Sequence, residues 1–221
     1  TDRFRRLDHA FVVSTSQIEW VEDIVGPGKV SFVPCGIDTD YFAPAAGPAE
    51  DHPFRCVFLG THMRDIDTLQ AVIRRVQAAR PDAEFLLASL NRRCGELADG
   101  RRVQWLRQIP DGDYLRLMQT ADLLVLPLRG STLVTSVIES LACGLPVLTT
   151  RGGISDYLDD ACSIQFEPGD AEGMAEAVIA LADDEAQRRR MADAARRHAL
   201  RFAWPAAASR MLSAYKKVLH S

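Results

Sequence analysis

From Phe54 onward the chain alternates short apolar runs with longer amphipathic stretches, and this alternation limits the fold more than any other feature. Strand candidates fall at 55–59, 84–88, 102–106, 123–126, 145–149 and 162–166. Helical stretches lie between or after them at 65–79, 112–120, 136–143, 154–159, 170–183, 185–202 and 205–219. Strand–helix–strand units join as right-handed crossovers, so their repetition builds a parallel sheet with helices on both faces. The expected fold is α/β and Rossmann-like, with six mostly parallel strands in the order 3-2-1-4-5-6 and 123–126 inside the sheet. Ligands of such sheets bind beyond the strand C-terminal ends, at the switch point. Gly60, the loop near Gln108, the segment 127–131 and Thr150 all follow strands and should share one rim.

The run from Ser131 to Thr150 carries the most chemistry. Ser136 and Glu139 have the Ser-x-x-Glu spacing of a capping box, Gly144 fits the residue just past a helix end, and Pro146 stops the helix. Leu145 to Thr149 suits an interior parallel strand. A loop feeding a helix start presents unpaired N–H groups where the helix dipole adds positive potential, which favours phosphate. A carboxylate one turn further on has the reach for hydroxyls, so the pair suggests a sugar nucleotide. A capped helix in any α/β protein accounts for the same residues equally well.

This run resembles the donor-binding segment of retaining glycosyltransferases with the GT-B fold, of the group 1 or family four type. Their hallmark is Glu, seven residues, Glu, small residues, then Gly-x-Pro and a strand. Glu139 matches the second glutamate, a ribose ligand in the family; the first, a donor-sugar contact, falls at Ser131. Thr132, Leu133 and Val134, followed by Thr135 and Ser136, replace the family's glycine-rich loop. Gly60 matches a glycine where the donor approaches the backbone, and Arg64 takes the place of a lysine facing the diphosphate. Thr61 and His62 stand where an arginine is usual, with His62 beside the implied site. Gln108 and Ile109 match the turn that holds the nucleotide base. The segment 31–38 with Phe42 resembles the interdomain hinge, and 166–170 with Trp204 the closing segment.

The resemblance implies three parts: 1–36 as the tail of an N-terminal acceptor domain with the hinge, 37–203 as the nucleotide-sugar donor-binding domain, and 204–221 as a C-terminal crossover helix. Within 1–36, strands are expected at 10–13 and 30–33 around a helix capped by Ser14 or Ser16; 43–53 reads as loop. Helix 205–219 should dock on the 1–36 unit. The implied activity is transfer of a sugar from a nucleotide-sugar with retention, with Arg64 stabilising the diphosphate. No metal or other cofactor is implied. The remainder of the acceptor domain lies outside the chain, which alone should be inactive. A sugar-nucleotide epimerase of the same fold and a non-catalytic nucleotide-binding module are the alternatives.

Bulk properties narrow the partners. A net charge of −4 gives no electrostatic case for nucleic acid. The arginines between 188 and 201 read as a solvated helix face, with weak contact to an anionic membrane surface as the alternative. Five cysteines without a C-x-x-C pair read as reduced packing residues, pointing to the cytoplasm. No apolar run is long enough to span a bilayer, no signal peptide is recognised, and the start at Thr1 suits a piece of a longer protein. The D-x-D pairs at 38–40 and 65–67 supply only two carboxylates each, thin for magnesium, and 65–67 fits a helix start better. Nicotinamide-binding and P-loop glycine motifs are missing.

Overall fold

Apolar runs buried on both faces are what a parallel sheet demands, and they dominate the architecture. The computed structural model describes residues 4–47 and 52–219; residues 1–3, part of the 43–53 loop, and 220–221 lie outside that description. In chain order the elements are β1 (Ala10–Val12), α1 (Ile18–Val25), β2 (Val30–Phe32), β3 (Arg55–Leu59), α2 (Ile66–Ala79), β4 (Glu84–Ala88), α3 (Arg93–Leu97), β5 (Val103–Leu106), α4 (Asp111–Gln119), β6 (Leu123–Leu126), α5 (Thr135–Ala142), β7 (Val147–Thr150), β8 (Ser163–Phe166), α6 (Ala171–Asp183), α7 (Glu185–Ala199) and α8 (Trp204–Leu219).

Six strands form one sheet in the order β5-β4-β3-β6-β7-β8, every pair parallel. This is the expected 3-2-1-4-5-6 order, with the 123–126 strand in the interior. Helix α2 packs on α6 and α5 on α7, the two-faced cover that crossovers in opposite directions produce. The core runs through the sheet: Val57, Leu59, Leu87, Leu124, Leu126 and Val147 are fully buried.

Several boundaries differ from the sequence expectation for local reasons. The strand expected from 145 begins at Val147, because the Gly144 and Leu145 N–H groups bond the Leu141 and Ser140 carbonyls in a Schellman motif. Gly144 supplies the left-handed φ of +75° there. The helix expected at 136–143 starts at Thr135, and its N-cap, Val134, makes no side-chain cap bond. The Ser136–Glu139 capping box is therefore not formed, since both side chains have other partners, described below. The stretch 154–159 is a 3-10 turn, Gly153–Tyr157, and 185–202 is α7 followed by a 3-10 turn, Leu200–Phe202. Short α3 was not expected: Gly95 sits in it, where an added Cβ would lie 2.5 Å from the Trp105 ring.

The N-terminal segment is a separate two-stranded parallel sheet of β1 and β2. Ser14 and Gln17 make a capping box at the turn leading into α1. Helix α8 reaches this unit: Tyr215 meets Phe11 edge-on at 4.9 Å, and the Trp204 ring covers Gly36 so closely that a Cβ there would collide. The unit also meets the large sheet through the 3-10 turn at 153–157. Ser14 Oγ and Thr15 N donate to Asp156 Oδ2 at 2.9 and 2.7 Å, and Tyr157 Oη donates to Val13 O at 2.7 Å. Gly153 is wedged in this seam. A Cβ there would stand 2.5 Å from Ser14 Oγ, 2.6 Å from Ser131 O and 2.8 Å from Ser16 Oγ. Gly153→Ala should thus cost about 1–3 kcal/mol in urea unfolding, as overpacking does; an unchanged midpoint would show that the seam yields freely.

Candidate functional site

Strand ends determine which loops meet. Loop 60–65 leaves β3 and is stitched to the exit of β6: Asp65 N donates to Pro127 O and Arg129 N to Met63 O, both at 2.9 Å. Met63 adopts a left-handed φ of +56° to make this path. Between that loop and residues 130–135 lies a cavity of about 530 Å³, lined by Thr61, His62, Met63, Arg64 and Gly130 to Thr135. A larger cavity of about 660 Å³ lies between the end of β2 and α8, away from these strand ends.

Arg64 is the electrostatic centre of the smaller cavity. Its Nε donates to Leu59 O at 2.8 Å, Nη1 to His62 O at 2.8 Å and Nη2 to Ser136 Oγ at 3.2 Å. Gly60, at φ +89°, makes room for it, because a Cβ there would strike the guanidinium. Burial lowers the Arg64 pKa to about 10, against a raising influence from Tyr114, so the group stays cationic at neutral pH. A guanidinium carries five N–H donors, and three are used here. No carboxylate pairs with it among the described residues. The start of α5 lies beside it in the same lining, where the first N–H groups of the helix precede its ladder. A cation and a helix N-terminus facing one cavity favour an anion.

The other residues named from sequence divide. His62, Ser131, Thr132, Leu133, Val134 and Thr135 line the cavity, and Ser136 supports Arg64 behind it. Ser131 is not a free arm: its Oγ accepts from Ile154 N at 3.2 Å and its carbonyl from Gly153 N at 3.1 Å. Gln108 is exposed at a left-handed φ of +49°. Ile109 lines a different cavity, with Arg55 and Glu84. Glu139 lies a turn below, outside the cavity lining; its Oε2 accepts from Tyr114 Oη at 2.7 Å. Burial raises the Glu139 pKa, and the Tyr114 hydrogen bond partly opposes it. Tyr114 had no sequence signal as a site residue, since an aromatic on an amphipathic helix reads as core.

The remaining motifs are structural. Asp65 caps α2 by accepting from Thr68 N at 3.1 Å, and Asp67 pairs with Arg93 and Arg129. Asp38 caps a turn through the N–H groups of Asp40 and Tyr41. No group of three potential metal-binding side chains occurs among the described residues. The arginine cluster disperses: Arg188 pairs with Asp122, Arg189 with Glu185, and Arg196 Nη1 lies within 3.0 Å of the Thr39, Phe42 and Ala142 carbonyls. All five cysteines are free. Among the described residues no helix is long and apolar enough to cross a membrane.

A model of the family Glycosyl transferases group 1 matches residues 53–184, the whole of the large sheet and its first covering helices. The chain belongs to the glycosyl transferases group 1 family. It is 27% identical over 191 residues to a GDP-mannose-dependent phosphatidylinositol monomannoside mannosyltransferase of Corynebacterium glutamicum, covering 75% of this chain and 50% of the relative. Sucrose-phosphate synthase from Thermosynechococcus elongatus superposes with a TM-score of 0.79 at 23% identity, over 98% of this chain and 60% of that one. Anabaena HepE, solved in complex with UDP-glucose, gives 0.80 at 15% identity, over 98% and 66%. At such identities the superpositions establish the fold alone, one half of a GT-B fold. The chain spans about half the length of the curated group 1 relatives it matches.

The raised Glu139 pKa makes a signed prediction about stability in this group 1 chain. A carboxyl whose folded pKa lies above its unfolded value destabilises the fold when ionised. That burden is full above the folded pKa and absent below the unfolded one, about 4.3. Glu139→Gln keeps an acceptor for Tyr114 and should raise Tm at neutral and alkaline pH, with the gain fading on acidification. A Tm lowered equally at every pH would contradict this.

Proposed function

We propose that this chain is the donor-binding half of a retaining glycosyltransferase, which moves a hexose from a nucleotide-sugar to an acceptor held by a part of the protein outside it. The observation that carries this is Arg64: a cation without a carboxylate partner among the described residues, fixed by two carbonyls and the Ser136 hydroxyl of the first turn of α5, and lining a rim cavity beside that helix start. In this reading the donor diphosphate lies against Arg64 and the adjoining α5 N-terminus. Charge develops on the departing diphosphate as the glycosidic bond breaks, and donors fixed in advance stabilise it without reorganising. Arg64 and the helix terminus thus do the work a metal does in other transferases. Glu139 serves the ribose. The five free thiols suit a reducing, cytoplasmic setting.

The relatives differ in donor, GDP-mannose in one name and UDP-glucose in one complex, so UDP, GDP and ADP are the ligands to titrate. Arg64→Ala should weaken the diphosphate that binds by about 1.5–3 kcal/mol, the range for hydrogen bonds to charged groups, and leave the free nucleoside nearly unaffected. Equal loss for both would remove Arg64 from the phosphate.

One observation favours a second reading, a nucleotide-binding module without turnover. Ser131 stands where the family has a sugar-contacting glutamate, and its hydroxyl is committed to the Ile154 N–H. Under the first reading the purified 221-residue chain binds donor and transfers nothing, because proximity of both substrates supplies much of the rate. Transfer by this chain alone, followed with a radiolabelled donor, would refute the half-enzyme reading.

A further inference from the structure

Tyr114 belongs to none of the motifs read from the sequence, yet it makes the one side-chain hydrogen bond to Glu139 found among the described residues. It sits in the first turn of α4, where its N–H bonds Pro110 O at 2.9 Å and its ring packs on the core. That anchorage fixes the hydroxyl, which stands 2.7 Å from Glu139 Oε2. The other carboxylate oxygen, Oε1, accepts nothing from the described residues. It is not sealed off either, since among the described residues the one buried side-chain polar atom left without a partner is Ser140 Oγ. The last torsion of a glutamate is broad and roughly two-fold, so an untethered carboxylate would offer either oxygen in many orientations.

The geometry points to Tyr114 as a positioning residue: its hydroxyl holds Oε2 so that Oε1 alone is presented to a single ribose hydroxyl of the bound nucleotide. This rests on the donor-site reading above. Two consequences separate it from simple packing. A single presented oxygen discriminates between the two ribose hydroxyls, whereas a free carboxylate would accept from both. Tyr114 also tunes the carboxylate. The phenol stays protonated, its pKa pushed far up by burial and by Glu139, so it remains a donor. The other groups acting on the pair are Arg64, from the loop after β3, and Cys143, at the end of α5. Burial pushes the Cys143 thiol up to about 12, so it is neutral. The Tyr114 bond lowers the Glu139 pKa, and losing the hydroxyl must move it higher. Only the ionised carboxylate is a full acceptor, so nucleotide affinity falls as pH drops through the Glu139 pKa, and falls sooner in Tyr114→Phe.

The test uses the full 221-residue chain, as wild type, Tyr114→Phe and Glu139→Gln. UDP, GDP and ADP are titrated calorimetrically from mildly acidic to mildly alkaline pH, and the 2′-deoxy and 3′-deoxy forms of the tightest binder are compared. Separately, the Glu139 carboxyl is titrated by carbon-13 NMR without ligand. Tyr114→Phe should weaken binding about threefold to tenfold at acidic pH, the scale of one hydrogen bond, and recover at alkaline pH. Its Glu139 midpoint should rise. Wild type should lose affinity with one deoxy form and not the other, a preference blurred in Tyr114→Phe; Glu139→Gln should bind without this pH dependence. An unchanged midpoint with unchanged affinity at every pH would overturn the role of Tyr114 alone, provided Arg64→Ala still weakens the nucleotide. Wild type that binds no nucleotide would take down the donor-site reading and this inference together.

Discussion

A guanidinium without a carboxylate partner among the described residues organises the rim of this domain. Arg64 gathers the end of β3, the following loop and the first turn of α5 through three hydrogen bonds. Partial desolvation of a cation is costly unless its N–H groups are satisfied. Two carbonyls and a hydroxyl take three of the five here while leaving the net charge in place. A carboxylate at the same spot would neutralise the charge and with it the attraction for an anion. The arrangement therefore keeps positive potential where a ligand can reach it, and Gly60 is the residue that lets the side chain lie there.

The sheet was largely legible because its strands are buried on both faces and separated by helices with a clear apolar stripe. The strand order came with the Rossmann-like expectation raised by the strand–helix alternation, and Gly144 and Pro146 marked the end of α5. Local motifs failed where a side chain answered to a distant partner. Ser136 has capping spacing with Glu139, but its hydroxyl is taken by Arg64, 72 residues away in sequence. Glu139 is taken by Tyr114, 25 residues away. Gly95 disguised α3 because the reason for a glycine there is the Trp105 ring, which local sequence does not reveal.

The candidate site was legible as a set of loops more than as a set of contacts. Residues 130–135, His62 and Arg64 converge, because the topology obliges the loops after β3 and β6 to meet. Gln108 and Ile109 follow the edge strand β5, and the cavity lining does not include them. Spacing alone gave no means of distinguishing adjacent strand ends from distant ones until the pairing was known.

The seam at 153–157 joins the two sheets, which the chain connects through the segment between β2 and β3 and the return of α8. Asp156 and Tyr157 grip the loop after β1, while the backbone of Gly153 and Ile154 grips Ser131. Ser131 opens the loop that lines the rim cavity. The small unit and that loop are thus anchored on the same 3-10 turn. Displacing the small unit from the large sheet would have to break the Asp156 and Tyr157 bonds or shift the turn that also holds Ser131.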